Sequence, residues 1–161
     1  IPSCVLMFKQ EIPLMFPEDE DVQLVRKNIF DPFEYLALRH KEGRLKLDFE
    51  NSLGDIAYHA PCHQRVQNIG PKTRDILSLV PGTSIQMIDR CSGHDGTYGI
   101  RQETHGISRK ICRPILNKIK RSDVDHVASD CPLAAHHIAE GLEEGRKSVS
   151  PFGLLRLAYG I

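Results

Sequence analysis

The chain has 161 residues, 40% hydrophobic and 26% charged, with 21 basic and 21 acidic side chains and a formal net charge of zero. That length suits one domain with its own core, or a domain with part of another. The charge balance argues against a nucleic-acid surface built on phosphate contacts, and no apolar run approaches the roughly 20 residues of a membrane-spanning helix. The chain opens on Ile-Pro-Ser-Cys, with no initiating Met and no signal peptide, and reads as the interior of a longer protein.

Apolar spacing predicts a helix over residues 4–16, ending at Pro17. Acidic residues then open a second helical stretch over about 19–28. Residues 31–43 predict a third, with Asp31 as N-cap, Pro32 in the first turn and Gly43 at its end. A strand over 54–60 runs into the Pro-Cys-His-Gln segment. A helix over 70–82, a strand over 83–89 and a loop with three glycines follow. Next come a helix over 103–122 with a kink near Pro114, a strand over 124–130, and a helix over 131–145 that starts or is capped near Cys131. Successive strand–helix units imply an α/β domain: a three-layer, mainly parallel sheet with helices on both faces.

Cys62, Cys91 and Cys131 each stand just past the end of one predicted strand. In parallel α/β sheets, ligands collect beyond the carboxyl ends of the strands. Three loops on one edge, each with a thiol, therefore suggest a metal centre, since thiolates suit zinc or an iron–sulfur cluster. His94 shares the glycine loop with Cys91, and Cys4 could enter from the N-terminal segment as a further ligand. His63, Gly93, Gly96, Tyr98 and His136 are candidates to stand behind the ligands, and His59, which just precedes the Cys62 loop, could stand there too. His136 and His137 face different sides of one helix, so at most one can point inward. Cys112 reads as core. An odd count of five cysteines at wide spacing argues against a disulfide framework and for a reducing compartment. A thiol hydrolase, with Cys62 or Cys91 as nucleophile and His94 as base, leaves the third cysteine without a role. The basic helix around Arg109–Arg121 reads most simply as a solvated face.

A faint repeat is also visible. Residues 29–43, Ile-Phe-Asp-Pro-Phe onward, resemble 148–160, Ser-Val-Ser-Pro-Phe onward. Each follows a helix opened by a proline motif, at Pro2 and at Pro132. The chain thus reads as a helical tail of a first unit, 1–50, and a complete second unit, 51–161.

The segments YHAPCHQR, DRCSGHDGTYG and ASDCPLAAHHI, in that order, resemble the cysteine-rich CCG domain. That domain occurs in iron–sulfur oxidoreductases, among them subunits of heterodisulfide reductase and of anaerobic glycerol-3-phosphate dehydrogenase. PSCVLMFKQEIPLMFP resembles the end of the first CCG unit of such proteins. The family pattern is a lone Cys, a Cys-Cys-Gly and a Cys-x-x-Cys. Cys62 matches the first, Cys91 opens the second and Cys131 opens the third, while Ser92 and Ala134 replace the remaining two cysteines. The resemblance implies a Rossmann-like fold, an iron–sulfur cluster (or zinc, as in some relatives) and electron transfer within an oxidoreductase complex. Three cysteines suit a cubane or mononuclear site, with His94 or Cys4 as fourth ligand, better than a larger cluster. It further implies an upstream ferredoxin-like domain, a first CCG domain, a redox partner and a cytoplasmic location, with peripheral inner-membrane attachment as the other option. The rival is a degenerate domain with structural zinc that docks subunits.

Overall fold

The structure is a computed structural model and describes residues 1–142 and 148–161. The predicted helix over 131–145 therefore has its last three residues outside the described ones.

The N-terminal segment is helical but not regular. α1 (Pro2–Leu6) runs into a π-helical turn, Met7–Glu11, and then α2 (Ile12–Met15). Pro13 is the physical cause. It has no N–H and its ring crowds the preceding turn, and the Ile12 N–H reaches back five residues to the Met7 carbonyl. α3 (Glu20–Asn28) is capped by Asp19, whose carboxylate accepts from the Val22 N–H. α4 (Pro32–Lys41) starts on a capping box: Asp31 accepts from the Phe33 N–H at 3.0 Å and Glu34 accepts from the Asp31 N–H at 3.1 Å. Gly43 ends it at φ +68°. A Lys9–Glu34 ion pair ties the N-terminal helices to α4.

The rest is an alternating α/β unit. β1 (Gly54–His59) leads into a one-turn helix α5 (Cys62–Arg65) that periodicity could not show. α6 (Lys72–Leu77), β2 (Thr83–Ile88), α7 (Gln102–Lys120), β3 (His126–Ser129) and α8 (Pro132–Ala139) follow. α7 runs through Pro114 as a single helix. Two further elements, β4 (Ser148–Val149) and α9 (Pro151–Ala158), close the fold. The strand order is β2-β1-β3-β4, and every pairing is parallel.

Side chains of β1 alternate between two apolar layers. Ile56 and Tyr58 join Phe33 of α4, Ile76 and Leu77 of α6 and Leu154 of α9 on one face. Ala57 joins Cys112, Ile115 and Ile119 of α7, Val127 of β3 and Ile138 of α8 on the other. This two-sided burial gives the three-layer, Rossmann-like arrangement. The two repeat-like stretches meet here. Asp31 caps α4 before Pro32-Phe33, Ser150 caps α9 before Pro151-Phe152, and the Phe33 and Phe152 rings lie 5.0 Å apart. Among the described residues, no helix is long and apolar enough to cross a membrane.

Candidate metal centre

From β1 the chain steps to β2 on one side and to β3 on the other. The crevice between the carboxyl ends of β1 and β3 is therefore the switch point of the sheet, where ligands bind in open α/β folds. Cys62 and Cys131 flank it, and Cys91 leaves the adjacent β2.

Cys62 is the first residue of α5 and is exposed. The Arg65 guanidinium donates to its Sγ at 3.4 Å. Cys91 is exposed, three residues past β2, and its Sγ accepts the Gly93 N–H at 3.3 Å. Gly93 sits at φ +78°, and a Cβ there would meet the Ser108 carbonyl at 2.4 Å, so only glycine lets the loop pass this close to α7. Gly96 also has positive φ, +59°. Cys131 is half-buried, caps α8, and donates its N–H to Ser129 Oγ at 3.4 Å. Cys4 is exposed on α1, which packs on α5, and Gln67 Nε2 reaches the Pro2 carbonyl at 3.1 Å. Cys112 is fully buried core, where burial pushes its thiol up.

His94 is buried, and its Nδ1 has no hydrogen-bond partner. Its ring lies 5.9 Å from that of His137. Of the α8 pair, His137 is the inward one: it is buried and bonds Ser108 Oγ at 2.9 Å, which in turn donates to the Gly93 carbonyl at 2.6 Å. His136 is exposed beside Glu140. His63 is exposed and Tyr98 half-buried. A cleft of about 300 Å³ runs between His94, His105, His136, His137 and Glu140. Among the described residues, no three His, Cys, Asp or Glu side chains already stand close enough to hold an ion. The donor chemistry nonetheless fits a thiophilic centre: three free thiols on one edge, a backbone N–H aimed at one sulfur, and a buried imidazole nitrogen without a partner.

Two polar networks brace this edge, one on each face. On the α6 side, Tyr58 Oη contacts Gln64 Oε1 at 2.6 Å and the Asp130 carboxyl, Gln64 Nε2 donates to Thr73 Oγ1 at 3.1 Å, and Thr73 donates to Asp130 at 2.9 Å. These four contacts form a ring. With Asp130 ionised, Tyr58, Thr73 and the Gln64 amide supply three protons for four contacts, whichever way the amide is turned. A proton on Asp130 closes it. Burial pushes the Asp130 carboxyl above the usual carboxylate range in the same direction. Burial and then the neighbouring Asp130 hold the Tyr58 phenol above its ordinary value. A cleft of about 630 Å³, lined by Tyr58, Gln64, Arg65, Arg74 and Asp89, opens beside the ring. On the α7 side, His59 contacts Ser129 Oγ at 3.0 Å and the Arg90 carbonyl at 2.9 Å. The sequence carries no signal for the ring, because Asp130 stands 72 residues from Tyr58.

A parallel α/β unit with a cysteine just past the carboxyl end of each of three strands is the frame of a cysteine-rich domain. Residues 56–139, just over half the chain, match the family model "CCG: Cysteine-rich domain", and the chain belongs to that family. It is 34% identical over 77 residues to a subunit of anaerobic glycerol-3-phosphate dehydrogenase from Escherichia coli strain K12, covering 47% of this chain and 19% of the relative. It is 30% identical over 138 residues to a subunit of fumarate reductase (CoM/CoB) from Methanothermobacter marburgensis, covering 83% of this chain and 27% of the relative. The chain thus spans about a fifth to a quarter of the relatives it matches.

Proposed function

We propose that this chain is the C-terminal cysteine-rich domain of an iron–sulfur oxidoreductase, and that Cys62, Cys91 and Cys131 hold its metal or iron–sulfur centre. The observation that carries this reading is that three free thiols leave three adjacent parallel strands at the same edge, around the switch point. His94 or Cys4 completes the set: His94 has an unpartnered buried nitrogen, and Cys4 rides on the helix packed against α5. A bound cluster would supply one-electron transfer to or from a partner.

The chain's own residues do the rest. Ligand thiols bind as thiolates, and Arg65 places a cation beside the Cys62 sulfur. The Gly93 N–H faces the Cys91 sulfur, the kind of contact that tunes a bound centre. On this reading His63, Gly96 and Tyr98 stand behind the ligands, and exposed His136 and buried His137 lie on the α8 side.

Residues 1–50 are read as the tail of a first CCG unit and 51–161 as the complete second. The wider protein would carry that first unit and an upstream ferredoxin-like domain, would work in a complex with a redox partner, and would sit in the cytoplasm or at the inner membrane's surface. The names of the two relatives, both oxidoreductase subunits, support the part of this reading that places the protein in a redox complex. A second reading, a structural zinc in a module that docks subunits, is favoured by Ser92 and Ala134 standing where the family pattern has cysteines.

The test is the iron, acid-labile sulfide and zinc content of anaerobically purified protein, with its visible spectrum. Iron and sulfide with broad visible absorption, lost in Cys→Ser variants at 62, 91 and 131, are the expected result. One colourless zinc per chain shifts the assignment to the docking module. A metal-free chain overturns both.

A further inference from the structure

We propose that His59 is the positioning residue of this edge: a neutral imidazole, protonated at Nε2, that locks the three cysteine-bearing segments to one another. Its geometry stands by itself, and its consequence for metal binding rests on the proposed thiol-bound centre.

His59 is the last residue of β1 and is 1% exposed. It is in register with Ser129, the last residue of β3, so the two side chains leave the sheet on the same face. Its Nε2 lies 2.9 Å from the Arg90 carbonyl, and a carbonyl only accepts. The proton is therefore on Nε2. A neutral imidazole has one N–H, so Nδ1 presents a lone pair. Ser129 Oγ, 3.0 Å away, must donate to it. That leaves the Ser129 oxygen free to accept the Cys131 N–H at 3.4 Å. The relay has a single direction: Cys131 N–H to Ser129, Ser129 O–H to His59 Nδ1, His59 Nε2–H to the Arg90 carbonyl. This direction is that of the neutral ring, the form that burial favours.

The ends of this relay are the segments that matter. Arg90 adjoins Cys91, Cys131 is itself the first donor, and Cys62 follows His59 by three residues. Loops beyond a sheet edge have no ladder to fix their spacing. Here His59 supplies it, beside the Arg65 bond from α5 to the Asp89 carbonyl at 3.4 Å, without offering a ligand of its own. Groups that orient ligands in this way typically change metal affinity about 10–100-fold when removed.

The full chain is tested with cobalt(II) as probe. The imidazole ¹⁵N resonances of His59 should show the proton on Nε2, and a proton on Nδ1 overturns the proposal. His59→Phe keeps the shape and removes both bonds, while His59→Gln keeps a donor for the Arg90 carbonyl. With far-UV circular dichroism unchanged, His59→Phe should weaken cobalt binding about 10–100-fold and shift the thiolate-to-cobalt band. His59→Gln should recover part of that loss. Wild-type affinity and band position in His59→Phe overturn the proposal. Should His59→Phe fail to fold, Ser129→Ala cuts the same relay and should weaken binding several-fold; unchanged binding there overturns it. Should the wild-type thiols take up no cobalt, the metal reading fails, and His59 is judged on the metal-free chain. The Cys131 amide should then exchange with solvent about tenfold faster in His59→Phe or Ser129→Ala, and an unchanged rate overturns the proposal.

Discussion

Tyr58 and His59 are neighbours in β1, both 1% exposed, and they point to opposite faces of the sheet. Each anchors a polar network at the carboxyl edge, and the two networks differ in kind. Around Tyr58, side chains bond side chains in a closed ring with Gln64, Thr73 and Asp130. Around His59, a side chain bonds loop backbone, directly at Arg90 and through Ser129 at Cys131. A closed ring satisfies its own members and stiffens the base of a cleft. An open relay fixes where neighbouring loops lie. The ring touches two cysteine segments through side chains, at Gln64 of α5 and at Asp130 beside Cys131, whereas the relay bonds backbone at Cys131 and at Arg90 beside Cys91, which is why the His59 side is the one expected to shape a centre built from loop thiols.

The largest effects should not distinguish the two sides. Ile138 lies under one and Leu154 under the other, both 0% exposed. Ile138→Ala and Leu154→Ala should each cost about 2–5 kcal/mol in denaturant unfolding, with similar values for both. Unequal costs would mean that one layer relaxes around the cavity.

Breaking the relay comes next. His59→Phe leaves the Arg90 carbonyl without its donor and the Ser129 O–H without its acceptor. At about 1–3 kcal/mol for each group left unsatisfied, a loss near 2 kcal/mol is expected, because loop carbonyls can recover water. A loss under about 0.5 kcal/mol would show that the relay is not formed in solution.

The ring is sharper to test. Tyr58→Phe removes one proton and one oxygen and should cost about 1–1.5 kcal/mol. Asp130→Asn should cost less than about 1 kcal/mol, because it exchanges one neutral donor–acceptor group for another. A large loss in Asp130→Asn would mean that the carboxyl is ionised and that the ring closes without its proton.

The smallest effect lies in the pH dependence, where the two networks have opposite signs. His59 is held below the usual imidazole value of 6.5, so the unfolded chain takes up the proton first. Its contribution is complete above pH 6.5 and is lost as the pH falls through the folded value. Asp130 is raised from 3.8, so its contribution is complete below pH 3.8 and is lost as the pH rises through the folded value. Unfolding free energies across this range should lose the first slope in His59→Phe and the second in Asp130→Asn. A slope that survives its own substitution assigns the titration elsewhere.

Much of the frame was legible because its signals are local. A short apolar run marks β1, alternating residues mark β2, Asp31-Pro32 marks the start of α4, and Gly43 marks its end. The three cysteines could be placed at strand ends because a parallel sheet puts every carboxyl end on the same edge. The short elements escaped notice: α5 has one turn, and β4 has two residues that pair only because β3 is there. The π turn before Pro13 also lay beyond periodicity, since a missing N–H can be absorbed in more than one way.

By itself the sequence determined the α/β class, the thiols at the strand ends and the family pattern with its two departures at Ser92 and Ala134, since each of these is a matter of spacing along the chain. Only the tertiary structure decided which histidines are structural partners. His137 turned inward and His136 outward because α8 packs one face on α7. His59 met Ser129 because β1 and β3 pair in that register, 70 residues apart. The physical reason is one of range: local spacing fixes how a side chain leaves its own element, and long-range pairing fixes what it finds there.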